Sequence, residues 1–376
     1  MMNQENSWKD SLMISIRAYA MSLSKINTIL EGVCERSAPN LGDLVFLLSL
    51  NEDEQVPLFD FADKIRKNFV GDGVLLRGIV EFSNFCRNTC SYCGLNVNNK
   101  KLTRYRLSTE EVLESVKIIS ECGIKTVVLQ SGEEDVYPAV WLGELIKEIK
   151  LKFDIAVTLS VGERLEKDYA LWRKSGADRY LLKIETSNKA LYESLHPGMS
   201  FNNRLGCLDR LKGLGYQTGC GNIIGLKGQD LRHLAEDIIF FKKHDFEMIG
   251  IGPFIPHQET GLRGELKGDP KLALKVLALT RIITKNTHLP ATTALGSQEK
   301  DFRADALKSG ANVLMPNFTP LKYKALYEIY PGKKCITEDG SSCLGCLEAN
   351  ILPKGRYLDF SRGDSLKYKE RITTNV

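Results

Sequence analysis

The sequence predicts an α/β protein built on a complete (β/α)8 barrel of the TIM type, with an N-terminal helical extension and a short C-terminal segment that contains cysteines. Three observations carry this expectation. Eight short apolar runs, rich in β-branched residues and bounded by turn residues, recur between residues 74 and 316. Stretches of helical period lie between them, as parallel neighbours require. The spacing stays even to the eighth run, which favours closure over an open doubly wound sheet.

In chain order, residues 8–70 read as helical. In "LFDFADKIRKNFVG" the apolar positions Leu58, Phe61, Ile65 and Phe69 keep a helical spacing that Gly71 ends. The candidate strands are 74–83, 125–131, 154–160, 178–184, 217–224, 247–254, 289–294 and 311–316. Between the first two, "STEEVLESVKIISECG" places Ser108 as N-cap, Glu111 at the capping-box position and Gly123 at the stop. "FNNRLGCLDRLKGLGY" and "DLRHLAEDIIFFKKHDF" have the same helical character. The expected division is an extension over 1–70, the barrel over 71–332 and a C-terminal segment over 333–376.

Composition narrows the function classes. The apolar fraction of 43% and charged fraction of 26% are those of a soluble globular protein. The 51 basic and 47 acidic residues are interspersed and net to +4, which argues against a nucleic-acid partner. No run approaches the roughly 18 apolar residues of a membrane span. The first 25 residues lack an apolar h-region and carry Glu5 and Asp10, so no secretory signal is read. The expected location is the cytoplasm, with an organelle transit peptide left open by Arg17 and nearby serines.

Six of the ten cysteines fall into two triplets. Cys34, Cys122, Cys207 and Cys220 stand alone and read as small buried hydrophobes. In "FCRNTCSYCGL" the spacing C-x3-C-x2-C brings Cys86, Cys90 and Cys93 onto one loop just after the first strand. Three thiolates on three irons of a four-iron cluster leave the fourth iron without a protein ligand, as a catalytic centre needs. The bland alternative is a zinc knuckle with a distant fourth ligand. A barrel would put chemistry at the strands' C-terminal ends, where Ser131, Ser160, Glu185, Gly225, Pro253 and Thr293 would share one mouth. His257, in "PFIPHQET", lies near that mouth and reads as a solvated loop residue.

This triplet, with the aromatic Tyr92 before its third cysteine, resembles the radical S-adenosylmethionine (radical SAM) superfamily. The resemblance implies a [4Fe-4S] cluster whose open iron is chelated by the methionine end of SAM. It also implies reductive cleavage of SAM to methionine and a 5′-deoxyadenosyl radical. "VLQSGEE", with Ser131, Gly132 and Glu133, is similar to the Gly-Gly-Glu motif that meets the methionine ammonium, although a serine stands in its first place. "GNIIGLKG", with Gly221 and Gly225, is similar to the glycine motif beside the adenine.

From about residue 55 to the second triplet the chain most resembles the HydE family of FeFe-hydrogenase maturases, in "IVEFSNFCRNTCSYCGL", "GADRYLLKIET", "FNNRLGCL", "MIGIGPFIPH" and "PATTALG". That resemblance implies a role in assembling the hydrogenase di-iron cofactor. The substrate would be a cysteine-ligated iron complex carrying CO and cyanide, and the partners companion maturases and an electron donor. It implies that Ser160, Glu185 and Arg204 meet SAM, the arginine clamping a carboxylate with its planar fork. Thr158, Lys183, Thr292, Thr293, Met315, Tyr327 and Tyr330 would line the substrate side. Family members read Arg-His-Glu-Thr where this chain has Lys183-Ile184-Glu185-Thr186, so bidentate recognition is lost at that point.

The second triplet, Cys335, Cys343 and Cys346, is spaced C-x7-C-x2-C and reads as the ligands of a second, auxiliary Fe–S cluster. Zinc, a disulfide and unligated thiols compete with that reading. Two rival functions stay open at this point: a radical SAM amino-acid mutase of the methylornithine synthase type acting on an amino-acid-like substrate, and a non-catalytic iron–sulfur scaffold. The sequence names no catalytic side chain.

Overall fold

The structure, a computed structural model, describes residues 21–135 and 137–368. The stretch where a transit peptide was left open, and the helical reading before residue 21, fall outside the described residues. Residues 21–35 are helical. Two further helices, Leu41–Ser49 and Val56–Val70, lead to the first strand, the second ending at Gly71 with φ 72°. Asn40 caps the first of these by accepting from the N–H groups of Gly42 (2.7 Å) and Asp43 (3.2 Å). The buried ammonium of Lys275 takes up carbonyls at its far end, those of Leu48 (2.6 Å) and Leu50 (2.8 Å). This bond ties the N-terminal helices to the long apolar helix Pro270–Thr284.

The first predicted strand breaks at Arg77 into β1 (Gly73–Leu76) and β2 (Gly78–Ser83). β3 (Thr126–Ser131), β4 (Ala156–Ser160), β5 (Arg179–Leu181), β6 (Gln217–Ile224) and β7 (Met248–Pro253) follow β2 in one parallel sheet, in sequence order. β8 (Val313–Leu314) pairs in parallel with β1. Strands and helices alternate, and the helix Thr109–Glu121 carries the capping box that the sequence predicts, with Ser108 and Glu111 each bonding the other's backbone. Its buried Val112, Val116 and Ile119 pack on the strands. Ile119 lies so close to Gly78 that a Cβ there would stand 2.7 Å from it.

The strand expected over 289–294 does not form as a ladder. Single bridges join Met248 to His288 and Pro290 to Val313, and the chain then enters the short helix Thr293–Gly296. Pro290 has no N–H to donate. The Leu289 N–H goes to the Asn312 side chain at 2.9 Å. A further bridge, Ile79 to Asn317, continues the β8 segment beside β2. The regular ladders thus make a parallel sheet of six and another of three, where the sequence predicted one complete eight-stranded barrel.

The third strand of the smaller sheet, β9 (Tyr357–Asp359), pairs in parallel with β1 and was not expected. Beyond it the chain runs under the strands' N-terminal ends. Asp364 accepts from Arg179 and from Gln217, both at 2.7 Å. Lys367 bonds Asp245 (2.6 Å) and Thr287 (2.8 Å). The polar tail is therefore the floor of the sheet. The opposite, C-terminal face is left for the loops that carry the candidate site.

Candidate functional site

The loop after β2 carries Cys86, Cys90 and Cys93, and its backbone is held by side chains. The Arg104 guanidinium donates to the carbonyls of Asn84 (2.6 Å), Leu95 (2.9 Å) and Asn96 (2.7 Å). Asn96 donates to the Cys93 carbonyl at 2.8 Å, and the Gly94 N–H donates to Ile329 at 2.9 Å. Two glycines let other chain segments touch the loop. A Cβ on Gly132 would stand 2.1 Å from the Phe85 carbonyl, and one on Gly94 would stand 2.2 Å from that of Glu328. Gly132 therefore buttresses the first cysteine.

Burial pushes all three thiols up, Cys90 to about 12. Smaller contributions reveal the neighbours: Arg204 lowers Cys90, and Glu185 raises Cys93. Residues nearly a hundred or more positions away thus face the triplet. Among the described residues no three His, Cys, Asp or Glu side chains converge as ligands of one ion would. A four-iron cluster takes each thiolate on a different iron, so its donors are spread, and a loop carrying three cysteines supplies the right donor chemistry.

Arg204 comes from the helix Phe201–Gly213. Its Nε donates to Glu163 at 2.6 Å and its Nη1 to the Lys183 carbonyl at 2.5 Å. Asn203 holds the other Glu163 oxygen at 2.6 Å. The guanidinium is buried, and the Glu163 carboxylate beside it keeps it charged despite the desolvation. Glu185 follows β5 with φ 62°, a conformation an L-residue adopts at a cost of about 1–3 kcal/mol. Its Oε2 lies 2.8 Å from the Lys183 ammonium, but out of line for a hydrogen bond, and it is buried without a hydrogen-bond partner.

Tyr92 turns its hydroxyl to His196 Nε2 at 2.8 Å. His196 Nδ1 sits 2.8 Å from the Tyr192 carbonyl, which only accepts, so Nδ1 carries the proton. Burial holds His196 down to about 4, so it is neutral near pH 7 and Tyr92 donates to it. In "QSGEE" the Ser131 hydroxyl donates to the Gly132 carbonyl at 2.7 Å. Glu133 accepts from Arg87 (3.0 Å) and from the Glu163 N–H (2.6 Å). Glu134 pairs with Arg106.

The glycines of "GNIIGLKG" also let protein segments approach closely. The space before Gly221 holds the Gly250 carbonyl and the Lys183 side chain, and that before Gly225 (φ 89°) holds Gly268. Along β3 and β4, Gln130 stands in register with Ser160 and Val128 with Thr158. Gln130 donates to Tyr327 at 3.2 Å, while the buried Thr158 hydroxyl has no partner. Thr292 braces β7 through a hydrogen bond from its hydroxyl to the Ile251 carbonyl at 3.0 Å. Burial raises Tyr330, which sits beside Ser297.

Thr293 and Met315 border one cavity with Glu81, Lys333, Cys335 and Cys346. Cys343 and Cys346 fall in the helix Ser342–Ile351. Glu81 is buried and bonded to Lys333 and to Asn317 (2.9 Å). His257 is 5% exposed, not solvated, and packs on Gly94. Of the lone cysteines, Cys207 and Cys220 are buried, while Cys34 and Cys122 are half-exposed.

Sequence reasoning missed Glu163, His196 and Glu81 as members of this region. Only Glu81 left a signal, an acid inside the apolar run "GIVEFS".

Residues 80–241 match the radical SAM superfamily. The chain is 50% identical to the [FeFe] hydrogenase maturase subunit HydE of Thermotoga maritima, over 80% of this chain and 86% of that one. It is 30% identical to 3-methylornithine synthase of Methanosarcina acetivorans, over 76% and 82% of the two chains. Among solved structures, methylornithine synthase superposes with a TM-score of 0.76 at 24% identity, covering 88% of this chain and 97% of that one. The maturase HydG of Carboxydothermus hydrogenoformans gives 0.76 at 24% identity over 97% and 87%. At those identities the two structures speak to the fold alone. The match at 50% identity over 80% of this chain, together with the superfamily match over residues 80–241, means that this chain belongs to the radical SAM superfamily and, within it, to the HydE family.

Proposed function

We propose that this radical SAM enzyme acts in FeFe-hydrogenase maturation. The observation that carries the reading is the cysteine loop, which is locked by Arg104 and lies within electrostatic reach of both Glu185 and Arg204. The [4Fe-4S] cluster and SAM, when bound, supply a one-electron reductive cleavage that yields a 5′-deoxyadenosyl radical.

The chain's residues hold and orient. Cys86, Cys90 and Cys93 are the cluster's ligands, and their loss of protons accompanies loading. Arg204, its plane set by Glu163 and the Lys183 carbonyl, receives the SAM carboxylate. Glu185, whose Oε2 lies beside the Lys183 ammonium, receives a hydroxyl or ammonium. Tyr92, Ser131, Gly132, Ser160, Gly221 and Gly225 complete the SAM side. Thr158, Lys183, Thr292, Thr293, Met315, Tyr327 and Tyr330 form the substrate side, with Lys183 as its positive charge. The substrate is a small cysteine-ligated iron complex carrying CO and cyanide, supplied by a companion maturase in the cytoplasm. The mutase and scaffold readings are not favoured.

Three further parts belong to this reading. Residues 71–332 are a barrel that shuts water out, a reading supported by the single bridges at Ile79, Met248 and Pro290 between the ladders. Residues 1–70 are an extension. Residues 333–376 supply Cys335, Cys343 and Cys346 to a second cluster dispensable for SAM cleavage. The test compares substrates in anaerobically reconstituted protein. The iron–cysteinate complex is expected to be consumed with SAM cleavage, and lysine to yield no methylornithine. Consumption of lysine instead would restore the mutase reading. Replacing the three C-terminal cysteines by alanine is expected to lower iron content and leave SAM cleavage in place.

A further inference from the structure

Of the three loop cysteines, Cys90 is the one that borders an open surface groove among the described residues. Cys86 backs onto Gly132, and the chain beyond Cys93 is covered by Glu328 and His257. The groove's floor is rigid. Ser91 donates to the Leu195 carbonyl at 2.9 Å and accepts from the Leu262 N–H at 3.0 Å. Thr89 bonds the Pro197 carbonyl at 3.0 Å. Leu262 anchors the loop by packing with Leu195, Phe254 and Tyr92.

The rim is basic. Lys100, Lys101, Arg263 and Lys267 are exposed on the two segments that frame the groove. The same segments carry two acids, and each is engaged by a lysine: Glu259 by Lys101 at 2.7 Å and Glu265 by Lys227 at 2.8 Å. Leu266, 87% exposed, stands next to Lys267 in the chain. An apolar side chain among basic ones, beside a ligand that borders an open groove on a centre that must be reduced, is the surface an electron carrier needs. Tunnelling falls steeply with distance, so the donor must come to Cys90.

We propose that this groove is the docking surface for an acidic one-electron carrier protein. The proposal rests on the reading that the triplet holds a reducible cluster. In the encounter the carrier is oxidised by one electron and the cluster reduced by one; no bond is made or broken. Basic rims steer acidic partners by about 10- to 1,000-fold in association rate, less as salt rises.

The test uses the reconstituted holoprotein and a reduced bacterial flavodoxin as the acidic probe. The variant is Lys101→Glu/Arg263→Glu, with the milder Lys101→Gln/Arg263→Gln beside it. A distal pair, Lys117→Glu/Lys147→Glu, matches the charge change. Flavodoxin affinity by titration and cluster bleaching by stopped flow should both fall at least 10-fold at low salt in the groove variant. Both should also lose most of their salt dependence. The Gln variant should fall part way, the distal pair should behave as wild type, and dithionite-driven SAM cleavage should be unchanged. Wild-type affinity and bleaching in the groove variants, or an equal loss in the distal pair, would overturn the docking surface. Failure of dithionite to drive SAM cleavage in the wild-type protein would instead overturn the reading on which it rests.

Discussion

Glu185 is held at φ 62°, and the strain is local to the site. Replacing it with glycine should separate two effects. Relief of the backbone should stabilise the fold by about 1 kcal/mol, while loss of the carboxylate should weaken SAM binding about 10- to 100-fold. Thermal melting and titration of the reconstituted protein measure the two. A variant less stable than wild type would show that the strain argument is wrong. Arg204→Ala should weaken SAM binding by a similar factor. The thiols give a pH dependence. The folded protein keeps the Cys90 proton up to about 12, against an ordinary 9.0, chiefly through burial. The raised value means that this stability is fully present below 9 and is lost as pH rises toward 12. Cluster loading, which needs thiolates, should release protons and improve with rising pH, as pH-stat titration of iron and sulfide uptake would record. Arg204 and Glu185 were legible because a motif marks each. Glu163 and His196 were not, because their importance lies only in the partners that folding brings to them.

Among the elements, helices with local signals were read well. The capping box at Ser108 and the stop at Gly71 depend on neighbours within a few residues. The strand expected at 289–294 failed because its pattern is apolar while Pro290 and the Asn312 side chain break the ladder. The place of the C-terminal tail in the sheet was not legible because its partners, Arg179 and Gln217, lie about 150 residues away or more. That tail yields a prediction. Arg179 is fully buried, and Asp364 is the carboxylate that pairs with it. Asp364→Ala leaves the charge with only neutral partners and should cost about 3 kcal/mol. Chemical denaturation would show it as a lowered midpoint at unchanged slope. An unshifted midpoint would remove the tail from the floor of the fold.

Over the whole molecule, the division of labour is between a polar floor made by the tail and a mouth made by the loops after the strands. The alternation of strand and helix was visible in the sequence, and it put the cysteine loop, Glu185 and Arg204 at one face before any coordinates. Continuous closure was not visible in that way, since the seventh and eighth positions are joined by single bridges. The central claim is that the loop cysteines, brought to Glu185 and Arg204 at that mouth, hold the cluster that cleaves SAM. It is tested most directly by replacing Cys86, Cys90 and Cys93 with alanine. Iron content, the electron paramagnetic resonance of the reduced centre and dithionite-driven release of methionine and 5′-deoxyadenosine are then measured in protein whose circular dichroism is unchanged. The account predicts that the loop cluster's signal and all SAM cleavage disappear, leaving at most the iron bound at the C-terminal triplet. A folded variant that retained the full signal and cleaved SAM would contradict it.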